Sequence, residues 1–390
     1  FNCSAFTMPR GHNKRTWLYR ISPSVKHTPF KLFPKSPYLL SAPIKTLCPP
    51  TQLRWDKLDM LDNGGDFISS LTTIVANGDV TGLSGGAIHI YHATKSMEYF
   101  FYNADGELLI IPQDGRLLIR TELGELEVAP LEIALIPRGI KFQIRLLDKS
   151  AYGYVNENYG APFQLPELGP IGANGLANPR DFLVPVAKFE DVSGKFELIC
   201  KFEGELWCSE VSSSVFDVVA WHGNCVPYKY DLNKFNTIGS ISFDHPDPSI
   251  FTLLTSPTST AGLANIDFVI FPPRWLVANH TFRPPWYHRN IMSEYMGLIT
   301  GQYDAKISGG FAPGGGSLHN RMSAHGPDGD AYIKASNKQL DPEYLADTMA
   351  FMLESSMTWR VSDFALATNK LQTNYLDCWQ NIQRLFNVKS

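Results

Sequence analysis

Short apolar runs make up the chain to about Ile270, and this limits its fold more than any other feature. Gly86–Tyr91, Glu107–Ile111, Leu117–Glu122, Ile133–Ile136 and Ile140–Leu147 read as β-strands. Turn residues separate them at roughly the 8–12-residue spacing of a sandwich or jelly roll. A mainly β fold follows. At 390 residues the chain is long enough for two domains, or one large domain with a smaller companion.

Two stretches interrupt the pattern. Pro23–Thr51 is rich in proline and lysine, and Leu165–Pro179 is dense in glycine, proline and asparagine. Loops of that length are usually functional or interface-forming. Near the C-terminus, Pro342–Ser356 and Lys370–Leu385 space their apolar residues as amphipathic helices do.

Composition excludes several classes. Net charge is −4 with acids and bases interleaved, so no basic stripe is present to bind nucleic acid. No apolar run approaches the ~20 residues of a membrane helix, and the first residues do not read as a signal peptide. The six cysteines lack metal-finger spacing and are expected to be reduced, buried thiols of a cytoplasmic protein. The Asn-X-Ser/Thr sequences at Asn2 and Asn279 are read as chance. Aromatic content of 12% suits both a ring-lined pocket and plain β-sheet.

Chemistry concentrates between Phe282 and Gly326. His288, Glu294, His319 and His325 lie there, so three of the ten histidines fall within 38 residues. Two imidazoles and one carboxylate form the facial set that holds Fe(II) and leaves open positions. The same set suits a catalytic zinc. The even spacing of His288 and Glu294 would put both on one face of a strand, and likewise His319 and His325. Spacing alone does not choose between His319 and His325. Pro313–Gly316 fits a hairpin corner between the two pairs. The pattern is similar to the two motifs of a cupin barrel. A second, weaker echo in Phe100–Phe142 reads as a barrel half without metal, with Phe142 where a ligand histidine would stand.

Other polar residues have weaker claims. His245, in SFDHPDPSIF, sits on a proline-stiffened loop where a general base would be credible, although spacing alone favours a surface histidine. His222 is similarly ambiguous. His89 and His92 have odd spacing and should point to opposite faces. Tyr303 lies between the ligand pairs and could meet a polar substrate atom. Arg283 and Arg289 flank His288, and Arg289 alternates away from it. No nucleophile elbow, P-loop or dinucleotide fingerprint is present.

The segments FTMPRGHNKRTWLYRI, GPIGANGLANPRDF, VVAWHGNCVPYKYDL, SISFDHPDPSIFTLLT, DFVIFPPRW, TFRPPWYHRNIMSEYMGLI and GGFAPGGGSLHNRMSAHGPD closely resemble the homogentisate 1,2-dioxygenase family. The resemblance runs from about Ser4 to Phe386. It implies an N-terminal β-sandwich domain, taken as 1–255, and a smaller C-terminal cupin-like (jelly-roll) domain with a few helices, taken as 256–390. It implies Fe(2+) bound by His288, Glu294 and His325, with His245 as catalytic base. Tyr303, His319 and His325 would meet the substrate.

The implied reaction opens the ring of homogentisate with O2 to give maleylacetoacetate, a step of tyrosine and phenylalanine catabolism. The implied assembly is a homotrimer or a hexamer made of two trimers, without nucleic acid or membrane partners. Two departures from the family pattern stand out: the short segment before Ala5, and Phe30–Thr51. Both bear on assembly and substrate access more than on the ligands. The alternatives are a zinc-dependent cupin isomerase or hydrolase, and a non-catalytic two-barrel binding or storage protein.

Overall fold

The computed structural model describes residues 1–60, 64–167, 177–237, 251–276, 286–307, 310–339 and 341–386. Its three large sheets lie in layers. The middle sheet has seven strands in the order Tyr228–Asp231, Glu132–Ile136, Glu107–Asp114, Ala151–Asn158, Ser84–Ala93, Thr72–Asp79 and Arg360–Val361. A second seven-stranded sheet, which includes Phe100–Asn103, Leu117–Thr121, Phe142–Leu146 and Ser193–Phe202, covers one face of it. A six-stranded sheet covers the other face. Its order is Thr252–Pro257, Ala264–Phe271, Met349–Ser355, Ser293–Thr300, Gly316–His319 and Leu53–Trp55.

The period of two along each strand builds these layers. In Glu107–Asp114, Leu108 and Ile110 enter one core with Ile119, Phe142 and Ile199. Leu109 and Ile111 enter the other with Phe268, Tyr295 and Phe351. A sheet buried on both faces needs a near-continuous apolar run, and ELLII supplies one. The runs read as strands in the sequence all lie within strands, give or take their ends.

Two short strands tie the layers together. Leu53–Trp55 completes the six-stranded sheet, and Arg360–Val361 completes the middle one. Between those sheets runs a buried polar seam. The Asn265 Nδ2 donates to Gly85 O and Asn158 Oδ1, each at 3.0 Å, while Gly85 N donates back to Asn265 Oδ1 at 2.6 Å.

Three expectations fail. Pro342–Ser356 is not a helix but the strands Glu343–Leu345 and Met349–Ser355. In the second strand Phe351 and Leu353 enter one core, and Ala350 and Met352 enter another. Burial on both sides overrides a spacing that an isolated segment would express as helix.

Lys370–Leu385 holds a single 3-10 turn, Tyr375–Trp379, and in that turn only Tyr375 is buried. No continuous apolar face is covered, so nothing sustains a longer helix. Among the described residues the α-helices are instead Gly329–Asn337 and Asp363–Ala367, each opened by a side-chain cap from Asp328 or Ser362.

The third failure concerns the thiols. Cys3 and Cys225 form a disulfide, with Cα atoms 6.1 Å apart. Backbone pairing of Thr16–Arg20 with Val218–Gly223 brings the two residues together, which their distance in sequence concealed.

Pro23–Thr51 is irregular as expected, apart from the short strand Lys31–Phe33. Most of Leu165–Pro179 lies outside the described residues. Phe142 is buried against Phe101, with ring centroids 5.4 Å apart. His89 is buried between Thr73 and Glu157, whereas His92 meets the Tyr152 ring edge-on at 5.6 Å.

Candidate metal centre

The six-stranded sheet has an inner face toward the middle sheet and an outer face. Along Ser293–Thr300, Tyr295 and Ile299 point inward. Met296 and Leu298 point outward with Tyr303, Ala305 and Phe311, and Glu294 shares their parity. His319 pairs with Glu294 across the adjoining strands, so both side chains emerge on one face.

His288 and His325 arrive by a different route from the one their spacing suggested. His288 is not in the Glu294 strand. A bend at Ile291–Met292 separates them. His288 forms an isolated antiparallel bridge with His325, donating N–H to its carbonyl at 2.9 Å and accepting from its N–H at 3.1 Å. A turn likewise separates His319 from His325. The connection from Glu294's strand to His319's runs from Gly301 to Gly315. Pro313–Gly314 is therefore only its final turn, not a tight hairpin corner.

These elements converge. His288, Glu294 and His325 each present one ligand atom, all within 4.8 Å of one another. Among the described residues this is the group of histidine, cysteine and carboxylate side chains able to hold a metal ion. Both imidazoles are oriented through Nδ1, His288 on Trp286 O and His325 on Ser323 O, each at 2.9 Å. Such contacts leave Nε2 free to act as a ligand. The His325 Nε2 lies 2.9 Å from Glu294 Oε2. Two imidazoles, unprotonated at Nε2 once an ion is bound, and a carboxylate on one side of it would fit a divalent metal with open positions.

Burial would push the Glu294 carboxyl up. The hydrogen bond and charge of His325, with the Asn290 amide, outweigh it and hold the group below its usual range. It is therefore an anion, as a ligand must be.

His319 is 2% exposed and stacks on His325 at 4.2 Å with an interplanar angle of 7°. Its Nε2 is 2.8 Å from the Tyr375 hydroxyl, while its Nδ1 is buried without a partner. Burial, then nearby Lys306, pushes its pKa well down, so the ring is neutral. Tyr303 is buried between Phe271 and Phe311, with ring centroids 5.5 and 6.3 Å away. Burial raises its pKa, and it remains a phenol.

Several residues escaped the sequence reading. Lys306 is buried on the same face, donating to Ser317 Oγ at 2.9 Å and sitting 4.5 Å over the Phe311 ring. Burial, reinforced by Arg54, pushes its pKa down to about 7. Arg54 lies 4.1 Å over the Tyr375 ring. Asn290 donates to Glu294 Oε1 at 2.8 Å. Lys306 could have been noticed beside Tyr303 in GQYDAK. Nothing local marks Arg54 or Tyr375, because each reaches the site only through folding. Arg289 is exposed, whereas His245 and Arg283 lie outside the described residues.

Residues 1–232 match the family model described as homogentisate 1,2-dioxygenase N-terminal, and residues 233–386 match its C-terminal counterpart. The chain belongs to the homogentisate 1,2-dioxygenase family. Proteins of that name from Pseudomonas fluorescens strains Pf-5 and Pf0-1 are each 57% identical to it. The alignments cover 99% of this chain and 88% and 89% of those relatives. It is thus an enzyme of a dioxygenase family, and the donor set described above is where such an enzyme can hold its metal.

Solved structures that align include Ylba from E. coli, at 8% identity and a TM-score of 0.36 over 80% of this chain and 94% of that one. A cupin 2 conserved barrel domain protein from Leptotrichia buccalis aligns at 9% identity and 0.31, over 77% and 98%. Those likenesses are too slight to bear on the site.

Proposed function

We propose that this chain opens the ring of homogentisate with O2 to give maleylacetoacetate, using Fe(II) held by His288, Glu294 and His325. The observation that carries the reading is the convergence of those three ligand atoms within 4.8 Å, in a chain of this family. Bound Fe(II) supplies a path for electron density between a singlet ring and triplet dioxygen, which otherwise react slowly.

The protein's own groups do the rest. His245 takes or holds the proton of a ring hydroxyl, raising the ring's electron density. The neutral His319 offers its unpaired Nδ1, and Tyr303 its phenol, to polar substrate atoms. Lys306, whose pKa burial pushes down to about 7, would be held as a cation by the acetate carboxylate and pair with it. Phe271 and Phe311 line the same face and exclude water.

Anaerobic reconstitution with Fe(II) or Zn(II), followed by oxygen uptake with homogentisate, tests the reading. Uptake with Fe(II) alone is expected, and turnover with Zn(II) would overturn the iron assignment. In the same assay His245→Phe should keep its metal and lose about 10²–10⁴-fold in turnover. Loss of the metal instead would make His245 a ligand.

The reading includes two folding units, 1–255 and 256–390, the first without metal. Support comes from a six-stranded sheet in which five of the six strands lie beyond Phe251 and from two family models that divide the chain earlier, between residues 232 and 233. It also includes a homotrimer or a hexamer of two trimers. Trp17 and Tyr19, on one face of the Thr16–Arg20 strand, are 65% and 58% exposed and would favour burial in an interface. Sedimentation of a monomer at micromolar concentration would count against that assembly.

A further inference from the structure

Asn290 lies two residues after His288 and four before Glu294, and its carbonyl and both ends of its side-chain amide are engaged. Its carbonyl accepts from Met322 N at 2.7 Å, its Oδ1 accepts from Met292 N at 2.9 Å, and its Nδ2 donates to Glu294 Oε1 at 2.8 Å. The Met292 contact fixes which end of the amide is which. A backbone N–H must meet oxygen, so the nitrogen must face the carboxylate. Glu294 thereby has its oxygens divided, with Oε1 on the amide and Oε2 toward His325 Nε2 at 2.9 Å.

We propose that Asn290 is a positioning residue that keeps Glu294 a one-oxygen ligand. The proposal rests on the metal-centre reading above. A carboxylate free to turn could offer both oxygens to an ion, whereas one held at Oε1 offers only Oε2. Three protein donors rather than four would then face a bound ion, which would leave one more position for substrate or dioxygen. The tie to Met322 adds a second effect. It fixes the loop that carries His288 against the turn that leads to His325, so one residue sets the relative placement of all three ligands. Partners that orient a ligand in this way commonly matter to affinity by 10–100-fold.

The test uses the whole 390-residue chain as apoprotein and Co(II) alone, whose visible absorption weakens as coordination number rises. Wild type, Asn290→Ala, Asn290→Asp and Glu294→Ala are compared by competition with a chromophoric chelator. Asn290→Ala should bind Co(II) about 10–100-fold more weakly, with weaker visible bands and nearly unchanged apoprotein melting. Asn290→Asp, close to isosteric, should lose more because it sets one carboxylate against another. It also decides the matter if the alanine variant does not fold. Wild-type affinity and spectrum in both Asn290 variants, with loss in Glu294→Ala, would overturn this proposal alone. A lower apoprotein melting temperature with unchanged affinity would make Asn290 merely structural and overturn it as well. If Glu294→Ala also binds normally, the metal-centre reading falls and this one with it.

Discussion

His319 and His325 show how two neighbouring imidazoles acquire different work. They stack with centroids 4.2 Å apart, yet only His325 has a ring nitrogen toward Glu294. His319 spends its Nε2 on Tyr375. His325→Ala and Glu294→Gln should therefore lose most bound iron on dialysis, whereas His319→Ala should retain it and lose turnover. Metal analysis of the three purified variants checks this, and iron loss confined to His319→Ala would reverse the assignment.

Lys306 makes a second prediction at the same scale. Its folded pKa is about 7, while the unfolded chain restores roughly 10.4. Between those values the unfolded state binds more protons, so stability rises with pH. The cost of the buried ammonium is full below about pH 7 and fades as pH rises above it. Lys306→Met should raise the apoprotein's melting temperature more at pH 6 than at pH 9. An equal shift at both would show that the lysine's charge is not what burial penalises.

Among the elements, the Ser293–Thr300 strand carries most responsibility, since one of its faces packs the core and the other presents Glu294. Its exit is set by Gly301, which has φ +76, and a Cβ there would strike the carbonyl of Asp347. Gly301→Ala should cost at least about 1–3 kcal/mol for the left-handed backbone alone, with the clash added. Chemical denaturation would measure it, and a loss well under that range would mean that the turn relaxes easily.

The Gly297–Gly316 pair is a related device in the same two strands. A Cβ on Gly297 would meet the Phe351 ring, and one on Gly316 the Tyr295 hydroxyl. Bare backbone here lets large rings close the core under the site.

For the molecule as a whole, the Cys3–Cys225 disulfide ties residue 3 to a residue 222 positions away, just past the Val218–Gly223 strand. A bridge over so long a span stabilises chiefly by restricting the unfolded chain. It also sits uneasily with a cytoplasmic location, where thiols are usually kept reduced. In a reducing compartment the pair would be expected to stand open and to oxidise after isolation. Alkylating thiols in intact cells before lysis, then weighing the peptides, checks both statements. A pair found already bridged would argue for an oxidising compartment. The described residues contain no helix long and apolar enough to cross a membrane.

The sequence by itself determined the strands of the N-terminal half, the family, and the residue types of the metal set. Each is local information: period-two apolar runs, and unusual motifs such as TFRPPWYHRNIMSEYMGLI. It did not determine the secondary structure of Met349–Ser355, because helix and strand compete closely there until two cores claim opposite faces. Nor did it choose between His319 and His325 by spacing, or reveal that His288 stands on a bridge rather than in a strand. Tyr375, Arg54 and the Cys3–Cys225 pair were equally hidden. Only folding brings those partners within contact, and a chain's local pattern carries no record of distances between segments that are far apart in it.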